Sequence, residues 1–386
     1  MIELQPKNAL SQVRVALIHD YLNQYGGAEK TFEAILELFP DAEVYASIYE
    51  PGRVSKAIND HKIFHLDNPV MRMFPKYLTF LMPFVFENFD LRQYDLVLSD
   101  SACWAKGVLT NPDQLHISFI HTPPRFLYKY SIESAKRNIW YFKPVISVLD
   151  ALLRVWDFAA AQRPNFLLAN SYEIQKRIQK FYNRESTVIY PPVEIDYTPL
   201  KPQNKIESPY FIVVGRMSAY KHFDLVIKAF NDLNKTLVVV GRGLEEKKLR
   251  ELANDNIIFI NNASDEEKAA LVQNAQGLIN AVDDEDFGIV PVEAMAQGVP
   301  VLVHKSGGHL ESVTENKTGM FFEELTVECL KTKLLEFEKA ITEGVYNAKE
   351  IKESVQKFSK QRFQKEYIDF VTEKWEQHQK EHARTS

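Results

Sequence analysis

Two glutamates, Glu285 and Glu293, stand eight residues apart in the run DDEDFGIVPVEAMAQG, which spans 283–298. The run reads as a strand end, an acidic turn and then a helix beginning near Gly288. Glu285 falls in the turn, facing a ligand crevice, and Glu293 falls in the second turn of the helix. The first amides of a helix have no acceptor within it. The N–H groups of Phe287, Gly288, Ile289 and Val290 therefore suit an anion or sugar hydroxyls. Gly288 also removes a side chain where a ligand must come close. Taken alone, the acid pair fits a solvated loop ahead of a capped helix at least as well.

Arg216 and Lys221 follow a strand that ends at Gly215, in the run VVGRMSAYK. Two such cations would neutralise the charge that develops on a diphosphate leaving group, more in the transition state than in the ground state. Arg can grip two phosphate oxygens, whereas Lys acts as a point charge. Gly26 and Gly27 lie in the loop after the first strand, where backbone amides would close over phosphates, unless the loop is a plain strand-to-helix turn. In that loop Asp20 is either an acceptor-side carboxylate or a cap. His121 ends another strand, in the run IHTPPR that also carries Arg125, a second acceptor-side candidate. A lone His at such a place is structural more often than not.

The elements that must position these residues follow from the apolar pattern. Strands are expected over 13–18, 43–48, 96–99, 116–120, 166–169 and 187–190, with helices over 28–39, 145–161 and 171–182. A second series places strands over 210–214, 236–240, 257–260, 277–280 and 299–303 and helices over 223–231, 244–253, 265–275 and 288–297. Strands alternating with helices of this length predict an α/β chain of two doubly wound, Rossmann-like parallel sheets. In such sheets ligands bind at the carboxyl ends of the strands, where all the candidate residues fall. The Pro191-Pro192-Val193 break and the polar stretch 201–208 mark a hinge, dividing the chain into 1–195 and 196–357. Beyond 350 the charged tail predicts a helix with Phe358, Phe363, Tyr367, Phe370 and Trp375 as its apolar stripe.

Composition narrows the function. A chain of 386 residues suits two domains, and a net charge of −6 with no basic excess in either half excludes a phosphate-backbone binder, so no nucleic-acid partner is expected. Cys103 and Cys329 sit in different halves, which argues against a disulfide framework and for a reduced, cytoplasmic setting. The start of the chain has no signal pattern, and no apolar run is long enough to span a membrane. No Cys/His spacing suggests a metal. Gly241-Arg242-Gly243 follows a strand, but Glu246 stands where a dinucleotide fingerprint needs its third glycine.

The run from Glu285 to Val301 resembles the signature of glycosyltransferase family 4, an E-x7-E pair followed by Ala-Met-Ala-x-Gly-x-Pro-Val. Gly307-Gly308 with Glu311, and Thr318-Gly319, also match the family pattern. The resemblance covers most of the chain and is tightest over 210–320. It implies a GT-B fold, two facing domains with a cleft between them, and a retaining transferase that uses a nucleotide-sugar co-substrate and no metal. Glu293 would bind the ribose hydroxyls, Glu285 the sugar hydroxyls, and the amides after Phe287 the sugar and diphosphate. Arg216 and Lys221 would hold the diphosphate, which a Gly of the 26–27 loop would approach from the first domain. His121 would contact the donor sugar beside the reacting carbon. Asp284-Glu285-Asp286 also reads as the D-x-D metal clamp of the other common glycosyltransferase fold, which the following E-x7-E helix argues against. The His-Thr-Pro-x-Arg-Phe-Leu run resembles a bacterial subset that builds O-antigen or exopolysaccharide, often mannosyltransferases, so GDP-mannose is the favoured donor and a UDP-sugar the other. The tail helix, about 358–386, is expected to pack back on the first domain.

The acceptor is expected on the first domain and to be a glycan or polyprenyl-linked glycan. The stretch 71–89 mixes apolar and aromatic residues with Arg72 and Lys76. It reads either as a peripheral contact with the inner face of the cytoplasmic membrane or as a buried helix pair. Two other readings of the whole chain are a non-catalytic nucleotide-sugar-binding subunit and a GT-B-fold epimerase.

Overall fold

The first apolar runs form seven strands: β1 (Val15–His19), β2 (Glu43–Ala46), β3 (Ile63–His65), β4 (Leu96–Ser101), β5 (Leu115–Ile120), β6 (Phe166–Ala169) and β7 (Thr187–Val188). They pair in parallel in the order β3-β2-β1-β4-β5-β6-β7. The chain winds outward from β1 to β3 and then returns to build on the other side of β1. The order therefore reverses between β1 and β4, where a ligand crevice opens in such sheets. Strands β1, β4 and β5 are buried at every position, as a sheet covered on both faces requires.

This is the computed structural model of the chain, and it describes residues 10–65, 79–128, 143–197, 206 and 209–385. It divides into two units. Of the described residues, the first holds those up to 192 together with 360–385, and the second holds those from 193 to 359. Of the expected hinge 201–208 only Ile206 is described, and 71–78 of the apolar stretch 71–89 lie outside the described residues.

Helix α1 (Gly27–Leu36) starts at Gly26, and the Glu29 carboxylate accepts the Gly26 N–H at 2.8 Å. The helix buries Phe32, Ile35 and Leu36. Two further helices of this unit are α2 (Met82–Glu87) and α3 (Lys143–Ala160). The polar groups of α3 point inward: Asp157 pairs with Lys106 at 2.6 Å, the Arg154 Nε donates to the Leu127 carbonyl at 2.9 Å, and the Trp156 indole donates to Glu87 of α2 at 2.7 Å. The outward face carries Val145, Val148, Leu152, Val155 and Phe158, which are 44% to 71% exposed. An apolar helix was expected here, but the face it leaves in water was not. Helix α4 (Tyr172–Tyr182) is capped by Ser171, which accepts the Ile174 N–H at 3.1 Å.

The second unit carries β8 (Phe211–Val214), β9 (Leu237–Val240), β10 (Ile257–Ile260), β11 (Gly277–Asn280), β12 (Val301–His304) and β13 (Gly319–Phe322). These are again all parallel, in the order β10-β9-β8-β11-β12-β13. Here the order reverses between β8 and β11. Around the sheet lie α5 (Phe223–Leu233), α6 (Glu246–Leu252), α7 (Asp265–Gln273), α8 (Ile289–Ala296) and α9 (Val327–Thr342). The short edge strands β3 and β13 and the helix α9 are absent from the expected elements. Phe337 of α9 sits in the core with Phe211 and Phe230.

Helix α10 (Lys360–Thr385) belongs to the first unit. Phe363, Tyr367, Ile368, Val371 and Trp375 bury into the same core as β1, β4, β5 and α1. Gln364 donates to the Ala34 carbonyl at 3.1 Å, and Lys360 meets Glu37 at 2.6 Å. Phe358, expected in the same stripe, lies instead in the second unit against Phe287, with ring centres 5.1 Å apart. Among the described residues no helix is long and apolar enough to cross a membrane.

Candidate functional site

In the first unit the candidate residues gather where β1, β4 and β5 end. The register sets His19 beside Asp100, and His121 follows β5 on the other side of β4. The Asp100 carboxylate lies between the two rings. Its Oδ1 is 2.7 Å from the His121 Nε2, and its Oδ2 is 2.9 Å from the His19 Nδ1. The second contact is an ion pair whose geometry does not meet that of a hydrogen bond. On its far side the His19 Nε2 lies 3.9 Å from Glu29, whose other partners are Gln24 and the Gly26 amide.

Burial works against charge on His19, but the Asp100 and Glu29 carboxylates prevail and lift its pKa to about 10. In spite of burial, His121 first and His19 second hold the Asp100 carboxyl below its usual range, and His19 does the same for Glu29. Because Asp100 takes the His121 Nε2, Nδ1 is the ring nitrogen of His121 left to meet a ligand. Neither His19 nor Asp100 was among the sequence candidates for this network. The available signal was a strand that turns from apolar residues to an acid at its carboxyl end, beside the point where strand order reverses.

Asp20 requires a correction. Its two oxygens accept four backbone amides: Oδ2 those of Ala102 and Cys103 at 2.9 and 2.5 Å, and Oδ1 those of Trp104 and Ala105 at 2.8 and 2.6 Å. The residue is 3% exposed. The carboxylate caps the turn after β4, not the loop after β1 in which a cap was expected, and the four amides engage both of its oxygens. The Gly26 amide is likewise engaged by Glu29, which leaves Gly27 and Ala28 as first-turn amides without an acceptor inside α1. Arg125 is buried in a short helical turn directly after the β5 loop.

In the second unit the acidic turn follows β11, and the Gly307-Gly308 turn follows β12 and grips it. The Gly308 N–H donates to the Glu285 carbonyl at 2.8 Å, and a Cβ on Gly307 would lie 2.2 Å from that same oxygen. The Glu285 carboxylate accepts the Asp286 N–H at 3.2 Å. Gly288 caps α8 with φ +91°, a left-handed conformation that favours glycine. Phe287 is buried against Phe358, so only its backbone is available to a ligand. Ile289 and Val290 begin the helix half-buried, and Glu293 is 9% exposed in its second turn.

Two further residues join this group. His309 is buried, and its pKa is lowered first by burial, with Glu285 and Lys221 the acid and the cation whose fields reach it. Lys268 of α7 has its pKa raised: burial lowers it, but the Glu293 charge and the Asp265 hydrogen bond outweigh burial. Lys221 folds back so that its Nζ would stand 3.5 Å from a Cβ on Gly215, at the end of β8. Arg216 is exposed beside it. The structure thus brings Glu285, Gly288 and His309 together, sets Lys221 against Gly215 and couples Glu293 with Lys268, all at the carboxyl ends of this sheet. Among the described residues no group of three or more His, Cys, Asp or Glu is arranged to hold a metal ion.

Residues 198–342 match the family described as glycosyl transferases group 1. The match lies within the second unit. The O-antigen chain mannosyltransferase RfbU of Salmonella typhimurium is 31% identical over 156 residues, which is 37% of this chain and 43% of that protein. The alpha-1,3/1,6-mannosyltransferase ALG2 of Kluyveromyces lactis is 24% identical over 278 residues, 58% of this chain and 53% of that one. The chain therefore spans about half the length of these curated relatives. Among solved structures, Anabaena HepE in complex with UDP superposes with a TM-score of 0.67 at 15% identity, covering 93% of this chain and all of that one. At that identity the likeness speaks for the fold, and the two doubly wound units have the GT-B fold of such glycosyltransferases. The group 1 match covers the second unit's sheet and both acidic and cationic clusters, the part of the chain where the sequence signature is densest.

Proposed function

We propose that this chain is a group 1 glycosyltransferase, a retaining, family 4 hexosyltransferase that moves a mannosyl or related hexosyl group from a nucleotide diphosphate sugar to a glycan or lipid-linked glycan. The observation that carries the proposal is the cluster at the end of β11 and β12. There a glycine-capped helix start and Glu285 border the His309 ring, Lys221 lies against Gly215 at the end of β8, and Glu293 stands in the next helical turn. A carboxylate and helix-start amides suit sugar hydroxyls and phosphate, and a second carboxylate suits a ribose diol. Lys221 and Arg216 supply the positive charge a departing diphosphate needs, so no metal is required for that step. The acceptor hydroxyl attacks the anomeric carbon on the face the diphosphate leaves, and a phosphate oxygen takes its proton. Glu285 positions the sugar and forms no covalent adduct.

The mannosyltransferase relatives favour a mannosyl donor, with GDP-mannose first and UDP-sugars second, as UDP occupies HepE. A role in cell-surface polysaccharide synthesis fits the O-antigen chain mannosyltransferase among these relatives. The apolar outer face of α3, together with exposed Phe80 and Phe84, supports peripheral contact with lipid. Thermal-shift and saturation-transfer screening of GDP-, UDP- and ADP-sugars tests the donor site. One nucleotide sugar should stabilise the wild type and lose most of that stabilisation in Glu293→Ala. Equal stabilisation of both proteins would remove Glu293 from the donor site, and covalent labelling of Glu285 by donor would overturn the front-face mechanism.

A further inference from the structure

We propose that the His309 Nε2 is a preformed hydrogen-bond acceptor for one hydroxyl of the transferred sugar, and so a specificity-determining atom of the donor site. The inference rests on the donor-site reading above and adds a residue that the sequence signature does not contain.

The His309 Nδ1 lies 2.8 Å from the His304 carbonyl oxygen, which can only accept, so Nδ1 carries the proton. Burial favours the neutral ring. Nε2 is then a bare lone pair, and among the described residues no donor reaches it although the atom is buried. A buried acceptor without a donor is costly, and a native site that tolerates one commonly has its partner arrive with a ligand.

The surroundings point to a sugar. A Cβ on Gly288 would lie 3.1 Å from the His309 Cδ2, 3.7 Å from its Nε2 and 3.6 Å from the Glu285 Cγ. The glycine that caps α8 therefore keeps a side chain out of the space between the ring and the acid. A sugar packed against the Gly288 Cα brings one hydroxyl to donate to Nε2 and a neighbouring hydroxyl to donate to Glu285. A phosphate oxygen has no proton to offer and is refused by the same lone pair. The atom therefore reads the sugar and not the nucleotide.

Calorimetric titration of the full chain with GDP and GDP-mannose, and with UDP and UDP-glucose, separates the alternatives. In His309→Phe the nucleotide diphosphate should bind within about twofold of wild type, and the matching sugar nucleotide about tenfold more weakly. A donor lacking the paired hydroxyl should already be weak on wild type and show no further loss in the variant. In wild-type chain labelled with nitrogen-15 in histidine, the His309 Nε2 resonance should move with the sugar nucleotide and not with the nucleotide alone, a readout that survives if the variant fails to fold. Equal loss for nucleotide and sugar nucleotide, or no loss for either, overturns the role of His309 and leaves the donor site standing. Failure of the wild type to bind any of the four overturns the donor site itself.

Discussion

Replacing Asp100 by Asn tests the buried network of the first unit. In the folded chain the His19 pKa stands at about 10 against 6.5 for a free imidazole. At about 1.36 kcal/mol per unit this corresponds to an upper figure of roughly 4–5 kcal/mol for holding His19 charged. Glu29, 3.9 Å away, retains part of it, so losing the Asp100 charge should cost about 3 kcal/mol, in the range for breaking a buried pair. For a unit of this size that lowers Tm by roughly 6–12 °C. The pH dependence follows from the direction of each shift. The raised His19 value contributes stability in full below about 6.5 and loses it as pH rises through about 10. The lowered Asp100 value contributes above the ordinary carboxylate range and is lost as pH falls through the depressed value. The gap between wild type and Asp100→Asn should therefore be widest near pH 6 and close towards pH 10. Differential scanning fluorimetry from pH 5 to 10.5 measures it. A gap that stays constant across this range, or is under about 2 °C at pH 6, would refute the ion pair. With donor and acceptor present, the same variant should lower kcat about tenfold or more while nucleotide affinity holds, because His121 loses its orienting partner.

Three further outcomes are expected. Asp20→Ala strips the acceptor from four amides and should cost about 3–5 kcal/mol in urea unfolding, with Asp20→Asn intermediate. If Asp20→Asn instead raises acceptor KM at unchanged stability, the capping role is wrong. Gly288→Ala places a side chain at φ +91° and 3.1 Å from the His309 ring, so about 1–2 kcal/mol of stability and most of the sugar-nucleotide affinity should go together, read by thermal shift with and without ligand. Val148→Glu with Leu152→Glu on the exposed face of α3 should leave Tm within about 2 °C and abolish co-flotation with anionic liposomes, and undiminished flotation would remove α3 from any lipid contact.

The fold was legible because buried parallel strands are near-continuous apolar runs, and runs such as LVLSDS and LHISFI can form little else between amphipathic helices. Where the pattern weakened, elements were lost. Strand β3 is a half-buried triplet, IFH, at a sheet edge, and β13 opens on a glycine, so neither stands out as a run. The tail helix shows the opposite limit. A stripe at helical spacing says that a face is buried, but it cannot say against what. Phe358 and Phe363 fall five residues apart in one stripe and lie in two different units. For α3 the same pattern misled in sign, because apolar residues at helical spacing imply a covered face, and here the charges are the covered part. Asp157 is fully buried against Lys106 while Val155 is 71% exposed.

The candidate site divides along the same physical line. Residues whose role depends on local chain geometry could be read from spacing: Glu293 in the second turn of a helix, Gly288 at its start, and the glycine pair at 307–308. Roles that depend on which strand lies beside which could not. Asp100 and His19 are 81 positions apart and become partners only because the sheet reverses its order between β1 and β4. Asp20 looked equally able to face a ligand or a loop until the turn after β4 brought four amides onto it. His309 stands at an unspecified position within the Gly307-Gly308 and Glu311 motif, and its meaning comes from a lone pair left bare by a hydrogen bond to the His304 carbonyl. Motifs thus mark the groups that hold what all such transferases share, a nucleotide diphosphate. The groups that tell one sugar from another are set by packing, and it is there, at His309 and the gap above Gly288, that the choice of sugar is to be sought.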